Sequence, residues 1–255
     1  MYIKLLGCKI LEREISSVVY NSKNAVDVTL IRQQYHETPK VLKQILQEEI
    51  DKIDENSSNY SNDISNHDFE AIVLGFGLCS EAVTGLHSKK YPLVIPKVHD
   101  CIALLMGGQK EYRDYAENHQ GTFYYSPGYV EHETVNDRDI EDRRYQMYLA
   151  RFKGKEKLAK RAMEIEKEYT NGYDNLTYIN WSTLTLPEHH EKAEGIAKEQ
   201  GWSFCDYSGN NSYFRDLVDG NWNEERFLIV PPGYTAEQSY DWNVLKLREC
   251  PEAFL

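Results

Sequence analysis

Five cysteines and eight histidines are the side chains of this chain best suited to soft-metal or nucleophilic chemistry. Three of the cysteines, Cys8, Cys79 and Cys101, each follow an apolar run that reads as a β-strand. In a parallel α/β sheet, ligands gather beyond the carboxyl ends of the strands, so strand-end side chains share one crevice. Adjacent strands lie about 4.8 Å apart, close enough for thiols on neighbouring strands to meet at one ion. His36 and His99 fall at the same expected edge, after the second and fourth strands. Each cysteine is also expected to sit where a helix begins, and the positive end of a helix favours thiolate over thiol. Thiolate is the form that binds zinc or iron and the form that attacks an electrophile. Free cysteine is also common core filler. Cys205, inside a short strand, and Cys250, near the C-terminus, are read that way.

The elements that must position these side chains follow from periodicity. Strands are expected at 2–6, 26–31, 71–74 and 91–95, with helical patterns at 9–20 and 40–54. Thr38-Pro39 is an N-cap followed by proline at the first helical position. A short helix is expected at 81–86 and another from Ile102 to Met106. Residues 54–68 are polar and read as a surface loop or disordered insertion. The second half alternates less regularly. It offers strands at 122–126, 176–180, 203–206 and 227–230, a long charged helical region at 139–169 broken at Gly154, and helices at 187–200 and 211–218. Alternation of this kind predicts an α/β fold with a mainly parallel sheet and helices on both faces. An N-terminal half, 1–120, would carry the Cys/His site and a C-terminal half, 121–255, would close the cleft. The similarity of Ser126-Pro127-Gly128-Tyr129 to Pro231-Pro232-Gly233-Tyr234 suggests two pseudo-repeated halves, although Pro-Gly is a common turn pair.

Other classes are disfavoured. The net charge of −12 works against nucleic acid and anionic membranes. No apolar run approaches the roughly 20 residues of a spanning helix, and the first residues make a poor signal peptide. With an odd number of widely spaced cysteines, these features point to a cytoplasmic protein. Gly75-Phe76-Gly77 is a weak match to a nucleotide-binding turn, and its glycines are better read as bringing Cys79 into the crevice.

In combination, Gly7-Cys8-Lys9-Ile10-Leu11-Glu12, His36-Glu37-Thr38-Pro39, Gly75-Phe76-Gly77-Leu78-Cys79, Pro96-Lys97-Val98-His99-Asp100-Cys101 and Ser126-Pro127-Gly128-Tyr129 resemble the prokaryotic family called domain of unknown function 1638. The resemblance implies a setting in anaerobes near corrinoid-dependent methyltransferases, hence one-carbon or methylamine metabolism, and it names no reaction. It supports Cys8, His36, Cys79, His99 and Cys101 as metal ligands. Gly77, Lys97, Asp100, Tyr129 and Tyr234 are the expected contacts of a small-molecule ligand. Lys97 replaces an expected arginine and Tyr129 an expected tryptophan. Three readings stay open: a zinc or iron–sulfur protein with an open coordination position, a metal-free cysteine enzyme with His99 as activating base, and an accessory protein that serves a corrinoid or methyltransferase partner.

Overall fold

The computed structural model describes residues 1–32, 38–55, 68–132, 137–170, 172–241 and 243–250. His36, His67 and most of the polar 54–68 segment lie outside the described residues. The chain forms two compact units. One comprises 1–115, 180–185 and 208–255; the other comprises 116–179 and 186–207. Residues 180–185 and 208–255 thus group with the N-terminal residues, where the sequence suggests halves divided at 120.

The larger unit is built on a five-stranded sheet. Strands β1 (Tyr2–Cys8), β2 (Ala25–Ile31), β3 (Ala71–Gly75) and β4 (Leu93–Pro96) are parallel, and β8 (Phe227–Val230) pairs antiparallel with β4. Their order is β2-β1-β3-β4-β8. A 3-10 turn (Lys9–Leu11) leads from β1 into α1 (Glu12–Val19), and α2 (Pro39–Asp54) links β2 to β3. The apolar stripe Leu42, Leu46, Ile50 and Ile53 is the buried face of α2. The order reverses after β2, so right-handed crossovers place α1 and α2 on opposite faces of the sheet. Contacts agree with this. A Cβ on Gly7 would meet Ile15 of α1 at 2.5 Å, whereas Lys4, which alternation turns to the other face, feels the charge of Glu49 on α2.

No helix forms at 81–86. Cys79, Ser80 and Glu81 all adopt left-handed backbone conformations, with φ of 46°, 55° and 69°, and the chain proceeds through turns to β4. A right-handed helix cannot start from three such residues. Beyond β4 come α3 (Cys101–Met106) and α4 (Gln109–Asn118). The short α9 (Ser212–Asp219) buries Tyr213, Phe214, Leu217 and Val218 before β8. A hairpin of β9 (Tyr234–Gln238) and β10 (Leu245–Glu249) completes this unit.

The smaller unit holds the sheet β5-β6-β7: β5 (Thr122–Tyr125), β6 (Asn175–Asn180) and β7 (Ser203–Ser208), with β5 and β6 parallel. Helices α5 (Pro127–His132) and α8 (Pro187–Gln200) pack on a core that includes Tyr125, Val130, Leu176 and Tyr178. The charged region forms two helices, α6 (Asp137–Arg151) and α7 (Glu156–Thr170), separated at Lys153 and Gly154, both with positive φ. The two Pro-Gly sequences diverge: Pro127-Gly128 opens α5, whereas Pro232-Gly233 turns into β9 with Gly233 at φ 89°. Among the described residues no helix is long and apolar enough to cross a membrane.

Candidate functional site

The strand order reverses between β1 and β3. In doubly wound sheets that reversal splays the loops at the carboxyl edge and opens a crevice there. Cys8 is the last residue of β1, and Cys79 lies four residues past the end of β3. Both thiols therefore stand at the reversal. Cys101 follows β4, the next strand, as the first residue of α3.

Backbone pairing holds the loops after β3 and β4 together. The N–H of Leu78 donates to the Val98 carbonyl at 2.8 Å, and that of Cys79 to the His99 carbonyl at 3.0 Å. Gly77 permits this approach. A Cβ there would fall 2.8–3.0 Å from the backbone N, Cα and C of Asp100. The Asp100 carboxylate accepts from the Ala103 N–H at 3.1 Å and caps α3. On the neighbouring strands, Gly7 and Gly75 lie in register and let Ile15 of α1 settle over them.

All three thiols are buried. Burial pushes the Cys8 thiol up to about 11, against a smaller opposing effect of the Ile10 N–H on its sulfur. Burial raises Cys79 further, and the Cys8 and Asp100 charges add to the rise while the Gly77 N–H opposes it. The effect of the Cys8 charge on Cys79 places the two thiols near each other. The expected helix-start activation is overturned for both: Cys79 has no helix after it, and desolvation outweighs the single N–H offered to Cys8. Both are neutral thiols at pH 7 unless a cation replaces their protons.

The expected companions divide. His99 is exposed, and its N–H donates to Gln109 Oε1 at 2.9 Å. Lys97 extends its ammonium to the Glu224 carbonyl at 2.6 Å, so it braces the start of β8. Tyr234 opens β9 in the larger unit, and Tyr129 lies on α5 in the smaller, edge-on to Tyr125 at 6.4 Å. The donor types suit zinc or iron, since thiolate is a soft ligand. In number the set is incomplete: among the described residues no group of three or more His, Cys, Asp or Glu side chains could hold a metal ion.

Burial and neutrality predict slow chemistry at the pair. At pH 8, native Cys8 should react with iodoacetamide about a hundredfold more slowly than in the unfolded chain, because so little of it is thiolate. The partly exposed Cys205 should be labelled first, as read by peptide mass mapping. Rapid native labelling of Cys8 would contradict the ionisation described above.

Two features escape periodicity. His189 and His190, consecutive on α8, meet different carboxylates: Glu131 of α5 at 3.1 Å and Asp206 of β7 at 2.9 Å. His190 also stands edge-on to Tyr178 and Phe204, so these residues tie the smaller unit together. In the larger unit, Lys4 is buried in β1 and bonded to Asp27 of β2. A lysine within a hydrophobic run gives no sequence signal of the carboxylate it meets.

The family described as "Protein of unknown function (DUF1638)" matches residues 30–218. That span contains Cys79, His99 and Cys101; Cys8 and Tyr234 fall outside it. No curated protein and no solved structure matches the chain.

Proposed function

We propose, from the premise that the chain belongs to the domain of unknown function 1638 family, that it is a thiol-centred metal-binding protein working at the reversal of its parallel sheet. Zinc or an iron–sulfur cluster is the centre that thiolates would hold there. Cys8 and Cys79 would be the first ligands, and Cys101, which opens α3 after the adjacent β4, would have to move toward them to serve as a third. His36 or His99 would complete the set or leave a position open for a small ligand. The observation that carries the reading is the placement of two buried thiols at the β1/β3 reversal, where the Cys8 charge acts on Cys79. A bound metal would supply a Lewis-acidic position. The chain's own part would be to hold the sulfurs out of water, with the Cys79 loop pinned to the loop that leads to Cys101 by the 78–98 and 79–99 backbone bonds.

The metal-free enzyme reading needs a thiol with a depressed pKa beside a base. For Cys8 and Cys79, burial that raises both thiols argues against it. Service to a corrinoid or methyltransferase partner stays compatible with the metal reading, as the setting in which such a centre would be used.

Anaerobic purification from cells supplied with zinc and iron, followed by elemental and sulfide analysis, tests the proposal. Near-stoichiometric metal is expected, falling about tenfold or more in Cys8→Ser and in Cys79→Ser and unchanged in Cys205→Ser. Metal-free protein, or metal content indifferent to replacing Cys8, Cys79 and Cys101 together, would sink it.

A further inference from the structure

Beside the Cys79 turn, the larger unit has a concavity of about 370 Å³ lined by Lys43, Glu81, Thr84, Tyr240, Lys246 and Arg248 among others, none of them a cysteine. Its volume is within the range of small-molecule sites. Five charged side chains line it, and three are cations, in a chain whose net charge is −12. That local reversal of sign has a structural origin. Lys246 pairs in register with Glu237, and Arg248 with Thr235. Thr235 is buried and donates to the Leu86 carbonyl at 2.8 Å. Alternation therefore turns Lys246 and Arg248 to the same side of the hairpin, toward the 81–86 turns. From the other wall, Lys43 of α2 donates to Thr84 Oγ1 at 2.9 Å, which holds its ammonium at the concavity. The Gly85 N–H donates to the Ala236 carbonyl at 2.8 Å and joins the two walls. Lys246 has Glu237 at only 3.5 Å, an exposed pair that an incoming anion can displace at small cost. Tyr240, 93% exposed, offers a ring face to whatever the anion is attached to.

We infer that this concavity is a binding site for a small organic oxyanion: Lys43, Lys246 and Arg248 would take the charged group, and Tyr240 a flat ring beside it. The proposal does not depend on a metal at the thiols. Isothermal titration with phenyl phosphate, benzoate and inorganic phosphate tests it and separates phosphate from carboxylate ligands. Saturable binding of one of the two ring-bearing anions is expected, weakened about tenfold or more in Arg248→Gln and in Lys246→Gln. Lys160→Gln, an exposed change in the other unit, should leave it unaltered. Glu81→Gln should tighten binding a few-fold by removing a like charge. Tyr240→Ala should weaken the ring-bearing anion and leave inorganic phosphate unaltered. These residues are exposed or half-buried, so the variants fold, as circular dichroism would verify. No saturable binding of either ring-bearing anion, or binding indifferent to both Arg248→Gln and Lys246→Gln, overturns the inference.

Discussion

Gly77→Ala should destabilise the protein by about 2–3 kcal/mol, because a single added methyl has nowhere to go. The ideal Cβ lies within 3.0 Å of three backbone atoms of Asp100, and backbone cannot rotate aside as a side chain can. Gly77 is not among the glycines with positive φ, so the penalty is steric and not conformational. The gain from restricting the unfolded chain, about 0.4–1 kcal/mol, does not offset it. Thermal unfolding should fall by roughly 5–10 °C for a chain of this size. Gly7→Ala is the informative comparison. Its Cβ would come within 2.5 Å of an atom, but that atom is Ile15 Cδ1, the end of a side chain that has other rotamers. The loss at Gly7 should be clearly smaller. Equal losses would mean that the approach of the 77–79 loop to Asp100 is not what makes glycine necessary.

The same substitution reaches the thiols. To relieve the clash, the loop after β3 must withdraw from the loop after β4 and lengthen the Leu78–Val98 and Cys79–His99 bonds. Cys79 then shifts relative to Cys8. If the pair holds a metal, Gly77→Ala should reduce metal content while both sulfurs remain in the chain. That outcome separates the geometry of the site from its composition.

What could be read in advance had local causes. The strands ending at Cys8 and Gly75 are short apolar runs, and the helix 187–200 is bounded by Pro187 at its start and the left-handed Gly201 at its stop. The break at Gly154 also follows from the residue that occupies it. What could not be read depends on contacts distant in sequence. Nothing in residues 227–230 says that they pair with 93–96, which is why the larger unit recruits the end of the chain. The strand order, and with it the adjacency of Cys8 and Cys79, is tertiary information. So is their ionisation: helix-start logic pointed to thiolate, and burial decided for thiol. The 81–86 segment failed locally for a different reason. Cys79, Ser80 and Glu81 are poor candidates for left-handed backbone, each at a cost of order 1 kcal/mol, and the surrounding pairing imposes it.

Asp27→Ala should cost about 3 kcal/mol, whereas Lys4→Met should be close to neutral or stabilising. Lys4 is 1% exposed, and desolvation is the main influence on it, lowering its pKa against the raising effects of Asp27 and Glu49. Removing the carboxylate keeps the buried ammonium and takes away a hydrogen-bonded counter-charge. Removing the lysine leaves Asp27, at 18% exposure, able to turn to water. The lower end of the usual range for breaking a buried pair is expected for Asp27→Ala, since Glu49 still acts on Lys4. The pH dependence has a definite sign. Between its lowered folded value and the ordinary 10.5, the unfolded chain binds more protons than the folded one, so Lys4 makes stability rise with pH across that window. Loss of Asp27 lowers the folded value further and extends the window downward, so Asp27→Ala should recover part of its deficit on going from neutral to alkaline pH. Cys8 and Cys79 act oppositely there, with folded values above the ordinary 9.0, but they are common to every variant and cancel in differences. Urea unfolding of the wild type, Asp27→Ala, Lys4→Met and the double variant at neutral and alkaline pH would read this directly. The double variant should be far more stable than Asp27→Ala alone, because methionine removes the charge that the lost aspartate had balanced. Equal losses for Asp27→Ala and Lys4→Met, at either pH, would show that Asp27 does not balance a buried charge.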